Sequence, residues 1–75
     1  MGNHAQLRNR LKSLRTEAGL TQAQLAERCR VSRKTVNTIE NGVFIPSTVL
    51  ALRIAAALDT RVEAVFQLPT TTPDA

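Results

Sequence analysis

The sequence predicts an all-α domain, a compact bundle of five short helices whose second and third members form one rigid pair. Three observations carry this. Apolar residues recur at three- and four-residue spacings in five short segments, and no segment alternates with a period of two over a useful length. Good helix-capping residues, Thr21, Ser32 and Ser47, head three of those segments. Only about three residues separate the second segment from the third, too few for two capped helices to lie antiparallel, so they must cross steeply.

The first helix is expected over 5–18. Leu7, Leu11, Leu14 and Ala18 make one apolar stripe, with Arg8, Arg10, Lys12 and Arg15 off it or at its edge. Gly19 supplies the C-terminal stop. Residues 1–4 read as a frayed start, and His4, the only histidine, has no ligand companions. The second helix opens at Thr21, where Gln24 completes a capping box and Leu20 with Leu25 makes a hydrophobic staple. Leu25 and Cys29 form its apolar i, i+4 pair.

The third helix, over 32–41, is capped by Ser32, with Val31 and Val36 repeating the staple. Val36 and Ile39 share one face, while Arg33, Lys34, Asn37 and Thr38 lie on others. Asn41-Gly42 ends it. The loop Val43-Phe44-Ile45-Pro46 is apolar enough to pack on the core or on a neighbour. Ser47 caps a fourth helix over 48–58 with the stripe Leu50, Ile54, Leu58. A short last helix is expected over 62–67, stopped by Pro69. The polar segment 70–75 reads as disordered, so the folded domain is expected over 5–68 with 1–4 and 69–75 as flexible termini.

Composition narrows the function. Seventy-five residues make one domain with a small core, and two Phe with no Trp or Tyr make that core aliphatic. A single cysteine excludes an internal disulfide and a multi-cysteine metal site, and Cys29 reads as a small buried hydrophobe. No metal or other cofactor is expected. No apolar run approaches the ~18 residues of a membrane span and no signal peptide is recognisable, which points to the cytoplasm, at the nucleoid, and to no membrane partner. There is no carboxylate pair, no Cys-His or Ser-His arrangement with an orienting group and no Gly-rich phosphate loop, which points away from an enzyme. The net charge of +4 is unevenly spread: residues 1–34 carry eight Lys/Arg against two Glu, whereas 35–75 carry two Arg against four acids. Such asymmetry fits a polyanion met by one end of the molecule, or a solvated basic face.

The phrases LRNRLKSLRTEAGLTQAQLAERC, VSRKTVNTIENG, PSTVLALRIAAAL and RVEAVFQL resemble the phage-repressor/Cro, or lambda-repressor-like, helix-turn-helix family. The resemblance implies a five-helix fold that sets the second motif helix in the major groove of double-stranded DNA, as expected of a small transcriptional regulator. A major groove about 12 Å wide admits one helix, whose first-turn residues reach base edges. Here those residues are Ser32, Arg33, Lys34, Asn37 and Thr38. Arg33 can pair two-pronged with guanine, Lys34 can reach guanine or a phosphate, and Asn37 can pair with adenine. Phosphate contacts are expected from Gln22, at a helix N-terminus that favours anions, and from Thr35, Asn41, Arg8, Arg10 and Arg30. The resemblance also implies an ion pair between Arg15 and Glu40, tying the first helix to the end of the third.

Three positions depart from the family's pattern. Arg30 stands where Gly is usual in a left-handed turn, Asp59 replaces the Gly after the fourth helix, and Arg61 replaces a Ser or Thr cap. A homodimer, at least on DNA, reading a palindromic operator follows from the same resemblance. Its seam would draw on Phe44, Ile45, Val62, Val65, Phe66 and Leu68, unless these close the core. The alternative reading is an antitoxin or adaptor that uses the same fold mainly to dock a partner protein.

Overall fold

The computed structural model describes residues 7–69. The readings of 1–4 and 70–75, and the start of the expected first helix at 5–6, lie outside the described residues. In chain order the elements are β1 (Arg8–Asn9), α1 (Leu11–Glu17), α2 (Gln22–Cys29), α3 (Arg33–Glu40), α4 (Thr48–Ala57), α5 (Val62–Val65) and β2 (Phe66–Gln67).

Each helix start that its local chemistry specified is present. At α2 the Thr21 hydroxyl accepts the Gln24 amide at 3.0 Å and the Gln24 side chain accepts the Thr21 amide at 2.8 Å. Ser32 accepts the Thr35 amide at 3.1 Å to open α3, and Ser47 accepts the Leu50 amide at 3.1 Å to open α4. α5 has no side-chain cap at Arg61 and runs only four residues. The core joins all five helices: Leu11 from α1, Leu25, Ala26 and Cys29 from α2, Val36 and Ile39 from α3, Leu50, Ile54 and Ala55 from α4, and Val65 from α5. Burial pushes the Cys29 thiol above its ordinary pKa despite the Arg53 charge, so it stays a protonated hydrophobe at neutral pH.

Three expectations are corrected. α1 begins at Leu11, not near residue 5, and ends at Glu17. A small antiparallel ladder exists where no strand was expected, pairing Arg8 with Gln67 and Asn9 with Phe66. Consequently the last helix stops at Val65, not at Gln67. One physical cause covers all three. The Arg10 amide donates to the Val65 carbonyl at 2.8 Å, and Asn9 uses its side-chain carbonyl to accept the Leu11 amide at 3.1 Å. The Asn side chain thus takes an amide at the opening of α1, and the two ends of the domain satisfy each other's backbone. Leu7 fits the helical stripe by spacing, yet it lines an apolar groove with Ile45, Leu52 and Phe66.

The turn between α2 and α3 holds Arg30 at φ 61°, and Asp59 after α4 sits at φ 55°. A left-handed L-residue costs about 1–2 kcal/mol, against the 0.5–1 kcal/mol of extra chain entropy that Gly loses on folding. Arg30→Gly is therefore expected to stabilise the domain by about 0.5–1 kcal/mol, raising Tm by roughly 2–8 °C. Thermal denaturation followed by circular dichroism checks this, and an unchanged or lower Tm contradicts it.

Candidate nucleic-acid interface

α3 presents its polar face because its apolar face is fixed. Val36 and Ile39 are fully or almost fully buried, which forces Arg33, Lys34 and Asn41 outward and leaves Thr35, Asn37 and Thr38 half-buried. With Ser32 before it, the exposed opening of the helix is a Ser-Arg-Lys turn.

Behind this surface lies one connected hydrogen-bond network. Arg15 Nε donates to Glu40 Oε2 at 2.5 Å, Nη2 donates to Oε1 at 3.2 Å, and Nη1 donates to the Leu20 carbonyl at 2.9 Å. The two side chains are only 10% and 3% exposed, so this ion pair is buried. Glu40 Oε1 also accepts the Gln22 amide nitrogen at 3.0 Å, and that nitrogen reaches Asn37 Oδ1 at 3.2 Å. Asn41 Nδ2 donates to the same Asn37 oxygen at 3.3 Å. Finally, Arg33 Nη1 donates to Gln22 Oε1 at 3.3 Å. The network fixes the crossing of α2 and α3 and steadies Arg33. Arginine has five N–H donors, so one bond to Gln22 leaves a fork free to face outward.

The structure brings Ser32, Arg33, Lys34, Thr35, Asn37 and Thr38 onto one helix, with Gln22 against them. It does not gather all the residues read as phosphate contacts. Asn9 Nδ2 donates to the Ile39 carbonyl at 3.1 Å, which places β1 and Arg10 at the C-terminal end of α3. Eight residues of helix make that end about 12 Å from the Arg33 turn. Arg10 shares a cleft there with Lys12, Ser13 and Glu40. Arg8, on β1, and Arg30, at the motif turn, are both exposed.

The hydrogen bonds also qualify what each side chain can offer. Asn37 Oδ1 already accepts from Gln22 and Asn41, so two-pronged pairing with adenine requires breaking both bonds, whereas its amide nitrogen can donate without that loss. The Thr38 hydroxyl donates to the Thr35 carbonyl at 2.9 Å, which leaves it an acceptor oxygen and a methyl to present. The Ser32 hydroxyl serves as the helix cap and also bonds the Thr35 hydroxyl at 3.0 Å. Sequence reasoning missed Gln22 as the hub and Asn9 as a bridge. An Asn two residues before Leu11 is a local signal for the bond it takes from the Leu11 amide, but not for its bridge to Ile39.

Two apolar surfaces flank the interface. Val43 and Phe44 fold over the C-terminal half of α3, with both amides donating to the Thr38 carbonyl at 2.9 and 3.2 Å. Ile45 instead joins Leu7, Leu52, Val62 and Phe66 in a groove on another side. Val65 is fully buried in the domain's own core, so it is removed from any seam between copies. Among the described residues no helix is long and apolar enough to cross a membrane.

Comparison with known proteins agrees with this architecture. The family model described as helix-turn-helix matches residues 11–65. The chain is 42% identical over 62 residues to the HTH-type transcriptional regulator YgzD of Bacillus subtilis (strain 168), a match covering 83% of this chain and 94% of that protein. It is 48% identical over 52 residues to an HTH-type transcriptional regulator of Methanothermobacter thermautotrophicus, covering 69% and 75%. Among solved structures, the clp gene regulator ClgR from Corynebacterium glutamicum superposes with a TM-score of 0.67 at 35% identity, covering 69% of this chain and 55% of that one. With capped α2 and α3 crossing through a left-handed turn and an apolar face of α3 locked in the core, the chain belongs to the lambda-repressor-like helix-turn-helix family.

Proposed function

We propose that the chain is a DNA-binding transcriptional regulator that lays α3 in the major groove and reads base edges with its first turns. The observation that carries this is the exposed Ser32-Arg33-Lys34 opening backed by the buried Arg15–Glu40–Gln22 network. A surface built only for solubility has no need of so rigid a support. Arg33 is the leading base reader, offering its free fork to guanine O6 and N7. Lys34 and the Asn37 amide nitrogen take further acceptors, while Ser32 and Thr38 line the helix's approach to the groove.

Phosphates meet the open amides at the start of α2 around Gln22, where the helix dipole favours an anion. Thr35, Asn41 and Arg30 add contacts beside α3, and Arg8 and Arg10 meet the backbone farther along the duplex. These set affinity and register without reading sequence. The folded unit takes in the elements from β1 at Arg8 to β2 at Gln67. A homodimer places two α3 helices about 34 Å apart on a palindrome. The groove of Leu7, Ile45, Leu52, Val62 and Phe66 supports that assembly, because Ile45 and Leu52 stand 44% and 53% exposed around it. The regulator works among the cytoplasmic contents, at the nucleoid.

The test is selection of bound duplexes from a random pool, followed by titration at several salt concentrations. The expected outcome is an enriched half-site and a log–log salt slope near −5, corresponding to about six neutralised phosphates. Recovery of no motif, with a slope near zero, contradicts the reading and favours a protein-docking module.

A further inference from the structure

We infer that Asn9 is a positioning residue that couples the apolar groove to α3, so that a second copy seated on that groove raises the affinity of each α3 for its own half-site. The inference rests on the DNA-binding and homodimer readings above and adds a physical link between them. Asn9 holds three partners at once. Its backbone pairs with Phe66 across the terminal ladder. Its side-chain oxygen accepts the Leu11 amide at 3.1 Å, at the opening of α1. Its side-chain nitrogen donates to the Ile39 carbonyl at 3.1 Å, 30 residues along the chain. That carbonyl lies in the last turn of α3, where carbonyls lack partners within the helix. It also takes the Gly42 amide at 3.0 Å, so the chain's own turn and a brace from β1 meet on one atom. Next to it stand Glu40, which holds Arg15 and Gln22, and Asn41, proposed above to meet a phosphate.

The other end of the link is the seam. Phe66, the ladder partner of Asn9, and Leu7, just before the ladder, both line the apolar groove with Ile45, Leu52 and Val62. Its occupant is a second copy. Among the described residues no charged side chain lines the groove, so nothing there draws a phosphate backbone. The chain itself carries apolar groups to fill it, with Leu52 exposed at its edge and Leu68, directly after β2, 78% exposed. The ladder pairs only two residues from each strand, extended by the bond from the Arg10 amide to the Val65 carbonyl. So short a ladder is marginal by itself, and it opens and closes locally. When it closes, Leu7 and Phe66 form the groove wall and Asn9 reaches Ile39. When it opens, wall and brace are lost together. A second copy packed on the wall binds the closed form alone and shifts the equilibrium toward it. Each protomer then keeps its α3 braced for a larger share of the time. Linkage requires the reverse as well: DNA held by α3 tightens the dimer.

The test measures binding to a short duplex that carries one selected half-site and ends before the second, so that only one α3 can be seated. Sedimentation first fixes the dimer dissociation constant, and each dimeric protein is assayed above its own. Leu52→Asp puts a carboxylate in the seam and should leave a folded monomer, with Ile45→Asp, on the loop, as an independent second monomer. Per protomer these should bind the half-site roughly 2- to 12-fold more weakly than wild type, the span of one net hydrogen bond. Asn9→Asp keeps the acceptor for the Leu11 amide and removes the donor to Ile39. In that background Leu52→Asp should add no further loss. If the monomers bind the half-site as tightly as wild type, the coupling is refuted and the dimer reading stands. An equal loss with and without Asn9→Asp refutes the route through Asn9. If wild type sediments as a monomer throughout, seam and coupling fall together while the DNA-binding reading stands.

Discussion

Glu40→Ala should lower the stability of this domain by about 3–5 kcal/mol, because it leaves the buried Arg15 guanidinium without its carboxylate. The whole folding stability of 75 residues is only roughly 4–11 kcal/mol. A domain of this size shifts in Tm by about 4–8 °C per kcal/mol, so the melt should fall by 12 °C or more. The damage should also spread. Glu40 Oε1 holds Gln22, and Gln22 in turn holds Arg33 and Asn37, so the polar face of α3 loses its backing. Glu40→Gln retains an acceptor for Arg15 and should cost less than the alanine change. A Tm for Glu40→Ala within a degree or two of wild type contradicts a structural role for the pair.

Replacing Arg33 and Lys34 together by alanine should act on recognition and leave the fold intact. Both side chains are exposed, and the helix cap at Ser32 does not involve them. Each good base contact discriminates by about 1–3 kcal/mol, so losing two should erode the preference for target over scrambled duplex by roughly 30-fold or more. Affinity for scrambled DNA should fall less, since only the electrostatic share of the two charges is lost there.

Much of this organisation was legible in the chain because it is written locally. The starts of α2, α3 and α4 each depend on a hydroxyl meeting an amide three residues on, and Thr21, Ser32 and Ser47 all do so. The left-handed turn at Arg30 was legible through the family's preference for Gly there, and φ 61° agrees. Nothing local encodes a contact across the chain. Two-residue strands have no period to detect, so the pairing of Arg8 and Asn9 with Phe66 and Gln67 was invisible, and with it the true start of α1. Leu7 satisfied a helical stripe by spacing alone. Gln22 read as a phosphate contact from its place at a helix opening, but its distance from Asn37 and Glu40 depends on how α2 crosses α3, which spacing bounds only loosely. The same holds for Phe44 and Ile45. Both read as apolar loop residues packed on the core or on a neighbour, and only the fold of the loop sends one toward α3 and the other toward α4.

What the whole account turns on is that the first turns of α3 read bases, whereas the flanking basic residues only hold the backbone. The most direct measurement is the ratio of dissociation constants for the selected and the scrambled duplex, taken on wild type, on Arg33→Ala/Lys34→Ala and on Arg8→Ala/Arg10→Ala at one salt concentration. The account predicts a collapsed ratio for the first variant, and for the second an unchanged ratio with both affinities weakened in parallel. An Arg33→Ala/Lys34→Ala protein that is folded and keeps the wild-type ratio contradicts it.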